Sequence, residues 1–569
     1  MRGIGKRLFA GLLTAALCLG LLGCGARTGG SASAEETENL VKLCKVWGYV
    51  KYRHPAFLLG KKDWDQELLE LIPQVREAKD EKTVNALLHT WFEGLGEVDY
   101  GTDRTNLHWT QAREDAKVIS ADTAWASDAD YLGEALAGDL AQIEVLPSCD
   151  RSNAPLRVDD TLGSLFNEPE HEAAYDDPGF RLLGLFRLWN AAEYCQPYLG
   201  ILDQPWASYL PESITMMLEG ADQASYERAL AFLGGQLHDP HVIIGSGSIA
   251  EGGLKLLSFA EDDYWFPVQL AEAEGKLVVS ENVDGCPLER GDVLEAINGK
   301  GIDTLLEERR LYECWPREDS VLNRLRFSIT ASSQEEKEVA VLRDGRKQTF
   351  SVQYAETASR MSWEPEAYYE ILEGNVGLIN PGAPSEERAE DVMEALWDTA
   401  GLVIDLRQYP DSDIILKLDG YLLEEREPSR VVAHPTGAYP GAYLKVTIES
   451  GPYSEKARYY DRPVVLLMSD DSTQSYAETE VMILSRGKHV VTMGENSAGG
   501  NGGMAVLPLP GGLVMTFSGQ AVYTPEGECT QRVGIAPDIP VSPTIQGIAE
   551  GRDELLEAAV EYIKMLDKS

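Results

Sequence analysis

The stretch VVLLMSDDSTQSYAETEVMILSRGKHVVTMGENSAGGNG, residues 464–502, decides the fold of the last third of the chain. It opens with an apolar run, Val464 to Met468, whose length and β-branched content predict a strand buried on both faces. A polar turn follows, and beyond Ser475 apolar residues recur at helical spacing until Gly487. The pattern predicts a strand, a turn and a helix, with Ser475 at the start of the helix.

Ser475 has two interpretations at this stage. A hydroxyl at a strand-turn-helix junction lies beside free backbone N–H groups and the positive end of a helix dipole, which suits a nucleophile and an oxyanion site. Serine is also a leading N-cap residue, so Ser475 taken alone is more simply a helix cap.

Length and charge limit the class of protein. The chain has 569 residues, too many for one ordinary domain, so we expect three or four. It carries 93 acidic against 50 basic residues, a net charge of -43. This charge excludes nucleic acid as an expected partner, because no basic field is present to displace phosphate counterions.

The N-terminus has the features of a secretory signal. Basic residues precede an apolar run that ends in Leu21-Leu22-Gly23-Cys24. The ending resembles a bacterial lipobox, which implies cleavage before Cys24 and lipid attachment to its sulfur. We therefore expect a signal peptide at 1–24, a flexible Gly/Ser/Ala-rich tether at 25–36, and a lipoprotein anchored on the extracytoplasmic side of the cell membrane.

The other cysteines outside the signal are scattered, with no Cys-x-x-Cys pair, so they indicate neither a zinc site nor a particular disulfide. We expect no metal and no cofactor. These cysteines are Cys44, Cys149, Cys195, Cys286, Cys314 and Cys529.

Two regions with helical periodicity, 37–175 and 176–255, precede the strand-rich part. The pattern from Pro147 to Pro178 is typical of a loop. Four aromatic and proline positions recur at identical spacing, which predicts a duplicated helical unit. The matches are Trp47 with Trp189, Tyr52 with Tyr194, Pro55 with Pro197, and Trp64 with Trp206.

Only the second unit ends in histidines, in the segment His238-Asp239-Pro240-His241. The pair could suggest a metal site, but Pro240 breaks the helix that would align the two rings, and no third ligand is evident. Before the rest of the chain is considered, a structural role is as reasonable as a chemical one.

The next region, 256–355, has short strands with turn signals at Gly291 and at Asn298-Gly299. It resembles a PDZ domain, which implies that a peptide is bound by strand addition at a sheet edge. From 356 to 569 strands and helices alternate, which predicts an α/β core. The fold class is therefore multidomain α+β.

Four motifs follow the PDZ-like region in a fixed order, and together they resemble the C-terminal-processing (tail-specific) serine peptidases. The resemblance implies a ClpP/crotonase-like peptidase core in which Ser475 is the nucleophile. The motifs are Gly401 to Arg407, Thr473 to Glu478, Gly494 to Gly500, and Val533 to Asp538.

The family has two catalytic arrangements. In one, a lysine deprotonates the serine, and the matching position here is Gly500. The other, similar to the tricorn-protease core, takes a histidine from the region before the PDZ domain. His241 lies at that place, which implies an imidazole that takes the Ser475 proton and returns it to the leaving amine.

Two positions depart from the family pattern. A carboxylate that orients the histidine is expected where the chain has Gln531, which could hold the ring by hydrogen bonding; Glu526, Glu528 or Asp239 could supply the charge instead. The family's oxyanion loop is also altered. The expected oxyanion donors are the N–H groups of Tyr476 and of Asp411 or Ser412.

We therefore expect a lipid-anchored serine endopeptidase that cleaves tail-recognised or unfolded proteins through an acyl-enzyme. The alternative is a catalytically impaired lipoprotein on the same scaffold that binds peptides. The missing lysine, Gln531 and the duplicated helical unit motivate that alternative.

Overall fold

The structure is a computed structural model. It describes residues 33–101, 107–144, 149–159, 163–248, 253–256, 264–355, 367–383, 388–410, 415–437, 439–452 and 458–567. Cys24, the predicted signal peptide, Asp411 and Ser412 lie outside the described residues. The last three residues of the predicted tether form the first turn of the first helix, which begins at Ala34.

The α-helices of the described residues are α1 (Ala34–Lys51), α2 (Pro55–Leu58), α3 (Trp64–Glu77), α4 (Glu81–Gly94), α5 (Leu107–Gln111), α6 (Ala129–Ala141), α7 (Pro178–Cys195), α8 (Leu210–Glu219), α9 (Gln223–Gly235), α10 (Ile302–Arg309), α11 (Val321–Thr330), α12 (Ala389–Leu396), α13 (Asp419–Leu422), α14 (Tyr476–Leu484), α15 (Ile545–Glu550) and α16 (Glu554–Asp567). The strands are β1 (Lys117–Ile119), β2 (Leu156–Asp159), β3 (Gly163–Phe166), β4 (Ile243–Ser248), β5 (Gly253–Leu256), β6 (Leu270–Ala273), β7 (Lys276–Val279), β8 (Val293–Ile297), β9 (Lys300–Gly301), β10 (Glu336–Arg343), β11 (Arg346–Gln353), β12 (Tyr369–Leu372), β13 (Val376–Ile379), β14 (Gly401–Asp405), β15 (Glu427–Pro435), β16 (Ala442–Ser450), β17 (Val464–Met468), β18 (Val490–Gly494), β19 (Met504–Leu509), β20 (Leu513–Ser518), β21 (Ala521–Tyr523) and β22 (Ile539–Pro540).

The sheet that carries the opening stretch has the order β12-β13-β14-β17-β18-β22. All its pairs are parallel except β12 with β13. Both faces are covered, because Leu466 and Met468 pack in the core beside α12 and α14, whereas Val465 and Leu467 pack against α16. The prediction of a doubly buried strand at Val464 to Met468 is confirmed.

The N-terminal helices share one core with the hairpin β19-β20. In each unit one of the two matching tryptophans donates to the carbonyl of the other, but the direction of the bond is opposite in the two units. Nε1 of Trp47 donates to the carbonyl of Trp64 at 2.8 Å, and Nε1 of Trp206 donates to the carbonyl of Trp189 at 3.1 Å. The origin of the two units by duplication stays a prediction.

The interpretation of residues 147–178 as loop is wrong at 156–159 and 163–166, whereas the other described residues before α7 are irregular. Strands β2 and β3 form there, and β3 pairs with β19 in the sheet β2-β3-β19-β20-β4-β5. The partner of β3 lies more than three hundred residues away, so no local pattern marks this pairing. A further sheet, β1-β16-β15-β21, links the helical part to the C-terminal part.

Residues 264–355 form a separate sheet of order β11-β10-β8-β7-β6, with β9 paired to β8. The predicted turn at Asn298-Gly299 joins β8 to β9, and both residues have positive φ, 46° and 77°. One face of this sheet packs on α11 and the other on α15.

Candidate functional site

Ser475 lies at the N-cap position of α14, at the carboxyl end of β17. Its backbone has φ 53° and ψ -114°, a conformation that a side-chain-bearing residue adopts only at a cost of about 1–3 kcal/mol. Its side chain makes no capping hydrogen bond, so the interpretation of Ser475 as a helix cap describes its position but not its hydroxyl. Its N–H donates to the carbonyl of Gly500 at 2.6 Å.

The turn before Ser475 is held by Thr473. The Thr473 hydroxyl accepts from the N–H of Ser469 and donates to the carbonyl of Leu406, both at 2.9 Å. Tyr476, a predicted oxyanion donor, is the first residue of α14, so its N–H lies at the positive end of the helix.

His241 lies between α9 and β4, with its side chain 11% exposed. Its Nδ1 is 3.2 Å from Oδ1 of Asp239 and 3.0 Å from the hydroxyl of Ser518. Its carbonyl accepts from the hydroxyl of Thr516 at 2.6 Å. Its Nε2 is buried and has no hydrogen-bond partner among the described residues, so this nitrogen is free to accept a proton.

Asp239 is fully buried and accepts several hydrogen bonds. The N–H of Ser518 and Nε2 of Gln196 both donate to its Oδ2 at 2.7 Å. Burial alone would raise the pKa of Asp239, but the hydrogen bonds and charge of His241 and the Ser518 N–H outweigh it and lower that pKa to about 2. Asp239 is therefore ionised at neutral pH and orients the ring of His241.

Gln531 contacts Asp239 instead of the imidazole. Its Nε2 donates to Oδ1 of Asp239 at 3.4 Å, and its Oε1 accepts from the N–H of Asn501 at 3.1 Å. Glu526 and Glu528 are exposed. Of the carboxylates considered from the sequence, Asp239 is the one beside the histidine.

Gly500 brings the serine and histidine segments together. Its carbonyl accepts from Ser475, and a methyl group built on its Cα would lie 1.9 Å from Cγ of Pro240, the residue before His241. No side chain fits at this contact, so the lysine of the other family arrangement has no room. Lys488, the nearby lysine, is exposed.

The 264–355 region also reaches the site, through α11. This helix touches both the turn before the serine and the segment before the histidine. The contacts are Asn323 Nδ2 to Asp470 at 2.6 Å, Arg326 to Asp471 at 2.7 Å, and Arg324 to the carbonyl of Pro240 at 2.9 Å.

The sequence pointed to Ser475, His241 and Asp239, whereas Gln196 and Ser518 were missed. Nothing in the sequence marks them, because they reach Asp239 from residues 43 and 279 positions away.

The six cysteines of the described ranges form no disulfide. Across these ranges no cluster of three His, Cys, Asp or Glu side chains could hold a metal. None of the helices in the described part is long and apolar enough to cross a membrane.

Part of the chain is similar to a known protein family. Residues 376–541 match the model of peptidase family S41. The match supports a serine peptidase. No curated protein sequence matches the chain.

Several solved structures of low sequence identity are similar to this chain. A mutant of CPAF is 13% identical, with a TM-score of 0.53 over 69% of this chain and 98% of CPAF. Mature CPAF is 12% identical, with a TM-score of 0.52 over 69% and 97%. The photosystem II D1 C-terminal processing protease is 16% identical, with a TM-score of 0.38 over 66% and 97%. The two CPAF structures show a likeness of fold alone.

Proposed function

We propose that the protein is a serine endopeptidase in which Ser475, His241 and Asp239 form the catalytic triad. Oγ of Ser475 attacks the substrate carbonyl while Nε2 of His241 takes the hydroxyl proton, and ionised Asp239 stabilises the imidazolium. The N–H of Tyr476 donates to the oxyanion. The imidazolium protonates the leaving amine, and water then hydrolyses the acyl-enzyme by the reverse proton transfers.

The observation that supports this most is the state of the two reacting atoms. Nε2 of His241 is buried and has no partner among the described residues, while its Nδ1 is held by an ionised carboxylate. The Ser475 hydroxyl is not used as a helix cap. Catalytic hydrogen bonds are often long in free enzymes and shorten in the substrate complex, so the absence of a bond between these atoms is compatible with the proposal.

Labelling with a fluorophosphonate tests the assignment. We expect the wild type to be labelled and both Ser475→Ala and His241→Ala to lose labelling. Ser485→Ala is the matched control, because Ser485 is at the other end of α14 and its hydroxyl donates to the carbonyl of Met482 in that helix. Equal labelling of the wild type and Ser475→Ala would contradict the assignment of the nucleophile.

A second function, peptide binding without turnover, is favoured by one observation: within the described residues no hydrogen bond joins the Ser475 hydroxyl to His241. This alternative predicts that a peptide substrate is bound but never cleaved. Cleavage that depends on both residues would eliminate it.

We also propose that residues 264–355 act as a PDZ-like domain that binds the C-terminal tail of the substrate. Amidation of the tail carboxylate should then weaken binding.

For localisation, we propose that lipid on Cys24 holds the protein outside the cytoplasmic membrane. Cys24→Ser should move it from the membrane to the soluble fraction, and retention in the membrane would count against the anchor.

A further inference from the structure

Glu478 is a buried carboxyl in the first turn of α14, three residues after Ser475, and is 0% exposed. A glutamate at this helix position commonly accepts a hydrogen bond from the N–H of the N-cap residue, forming a capping box. Here Ser475 N–H donates to the carbonyl of Gly500 at 2.6 Å instead, and Oε2 of Glu478 accepts from the N–H of Gly500 at 3.2 Å. Gly500 therefore lies between the two groups that a capping box would join directly, accepting from Ser475 and donating to Glu478.

This position of Gly500 has a consequence for the histidine. Gly500 packs directly on Pro240, and the next N–H along the chain, that of Asn501, donates to Gln531, which in turn donates to Asp239. The segment 500–501 is thus held by Glu478 on the serine side and by Gln531 on the histidine side.

We propose that Glu478 is a positioning residue for the reaction: its carboxyl fixes Gly500, and Gly500 sets the main chain of Ser475 relative to the segment that carries His241. This inference rests on the proposed peptidase function. It requires the reach of the Glu478 side chain and an acceptor oxygen at its end, and it does not require a negative charge.

The surroundings of Glu478 agree with a role that is independent of charge. Glu478 forms no ion pair with any residue that the structure describes. Ser497 and Thr530 lie beside it, and burial raises its pKa to about 7, so a large share of the molecules carry a neutral carboxyl at neutral pH. Glutamine has the same length and retains one carbonyl oxygen, so it can accept from Gly500.

Two substitutions separate reach from charge. Glu478→Gln keeps the reach and removes the charge, whereas Glu478→Asp keeps the charge and shortens the side chain by one methylene. Glu480 provides the matched control: it is also fully buried in α14, but neither of its carboxyl oxygens has a hydrogen-bond partner among the described residues. The measurements are the rate constant of fluorophosphonate labelling across pH and the thermal unfolding of each variant.

We expect Glu478→Gln to label within about threefold of the wild type and Glu478→Asp to label about tenfold to a hundredfold more slowly, the range for one lost hydrogen bond to a buried group. Glu480→Gln and Glu480→Asp should label at the wild-type rate. Both Glu478 substitutions are conservative, so the ratio of their labelling rate constants is informative even if one variant is less stable.

Three results would overturn the inference. If Glu478→Asp labels faster than Glu478→Gln, the side chain acts through its charge, and if both label at the wild-type rate, it has no role in the reaction. If the Glu480 variants slow labelling equally, burial of a carboxyl in α14 is what matters. In all three cases the wild type is labelled, so the peptidase function stands; a wild type that is not labelled would remove both proposals.

Discussion

Replacing Gln531 with glutamate tests the arrangement around Asp239 most directly. The family pattern suggests that Gln531→Glu restores a missing acid and raises activity. The structure predicts the opposite, because the position of that acid is 3.4 Å from a carboxylate that is already buried and ionised. A second negative charge at this distance would be repelled by about 5 kcal/mol at an effective dielectric constant of about 20.

The Gln531→Glu variant can avoid this repulsion by keeping a proton on the introduced carboxyl. Holding a glutamic acid neutral above its ordinary pKa of about 4.3 costs about 1 kcal/mol at pH 5 and about 4 kcal/mol at pH 7. Because the folded-state pKa of the new acid is raised, the variant should have nearly wild-type stability at a pH below the ordinary pKa of glutamic acid. It should lose stability as the pH rises toward the raised pKa. We therefore expect the stability deficit to grow by about 3 kcal/mol between pH 5 and pH 7.

The assay is urea unfolding at both pH values, together with the fluorophosphonate labelling rate. Any ionised fraction of the introduced acid adds negative charge near His241, which favours the imidazolium and moves the acidic limb of the labelling profile to higher pH.

Gln196→Glu should show the same pH-dependent loss of stability, because Gln196 also donates to Asp239 and accepts a hydrogen bond from the N–H of Tyr198 at 3.2 Å. Exposed Gln142→Glu is the control. Faster labelling of Gln531→Glu at pH 7, or a pH-independent deficit, would refute the reasoning.

Three further predictions follow from single contacts. Asp239→Asn should slow labelling by about a thousandfold or more with the fold retained, since the amide cannot stabilise the imidazolium; a normal rate would place the orienting charge elsewhere. Gly500→Ala should slow labelling at least about tenfold, because its methyl group must displace the proline ring 1.9 Å away, whereas Gly437→Ala, with open space around it, should not. Lys51→Met should lower the free energy of unfolding by about 1.5–3 kcal/mol in urea titrations, because it removes the amine 2.6 Å from the buried carboxylate of Glu168 and leaves that carboxylate with only Arg187 and the indole N–H of Trp64 among its described partners; a loss below about 1 kcal/mol would contradict this.

The sequence predicted what depends on local patterns. The apolar run of β17 and the helical spacing of α14 placed these two elements correctly, because the burial of each shows in its own residues. It missed the strands at 156–159 and 163–166, because β2 pairs with β3 and β3 in turn pairs with β19, far along the chain. It also missed Ser518 and Gln196, whose importance arises from contact with Asp239 in three dimensions.

The departure at Gln531 has a physical explanation in the same contacts. A buried histidine base needs one negative charge at Nδ1, and Asp239 supplies it from two residues before the ring. Two carboxylates in hydrogen-bond range cannot both ionise in a buried site, so one would take up a proton. Amides at 531 and 196 avoid this conflict, because each donates to Asp239 and accepts from a backbone N–H. With Asp239 as the proposed orienting carboxylate, glutamine at 531 avoids a second charge and does not count against the proposed function.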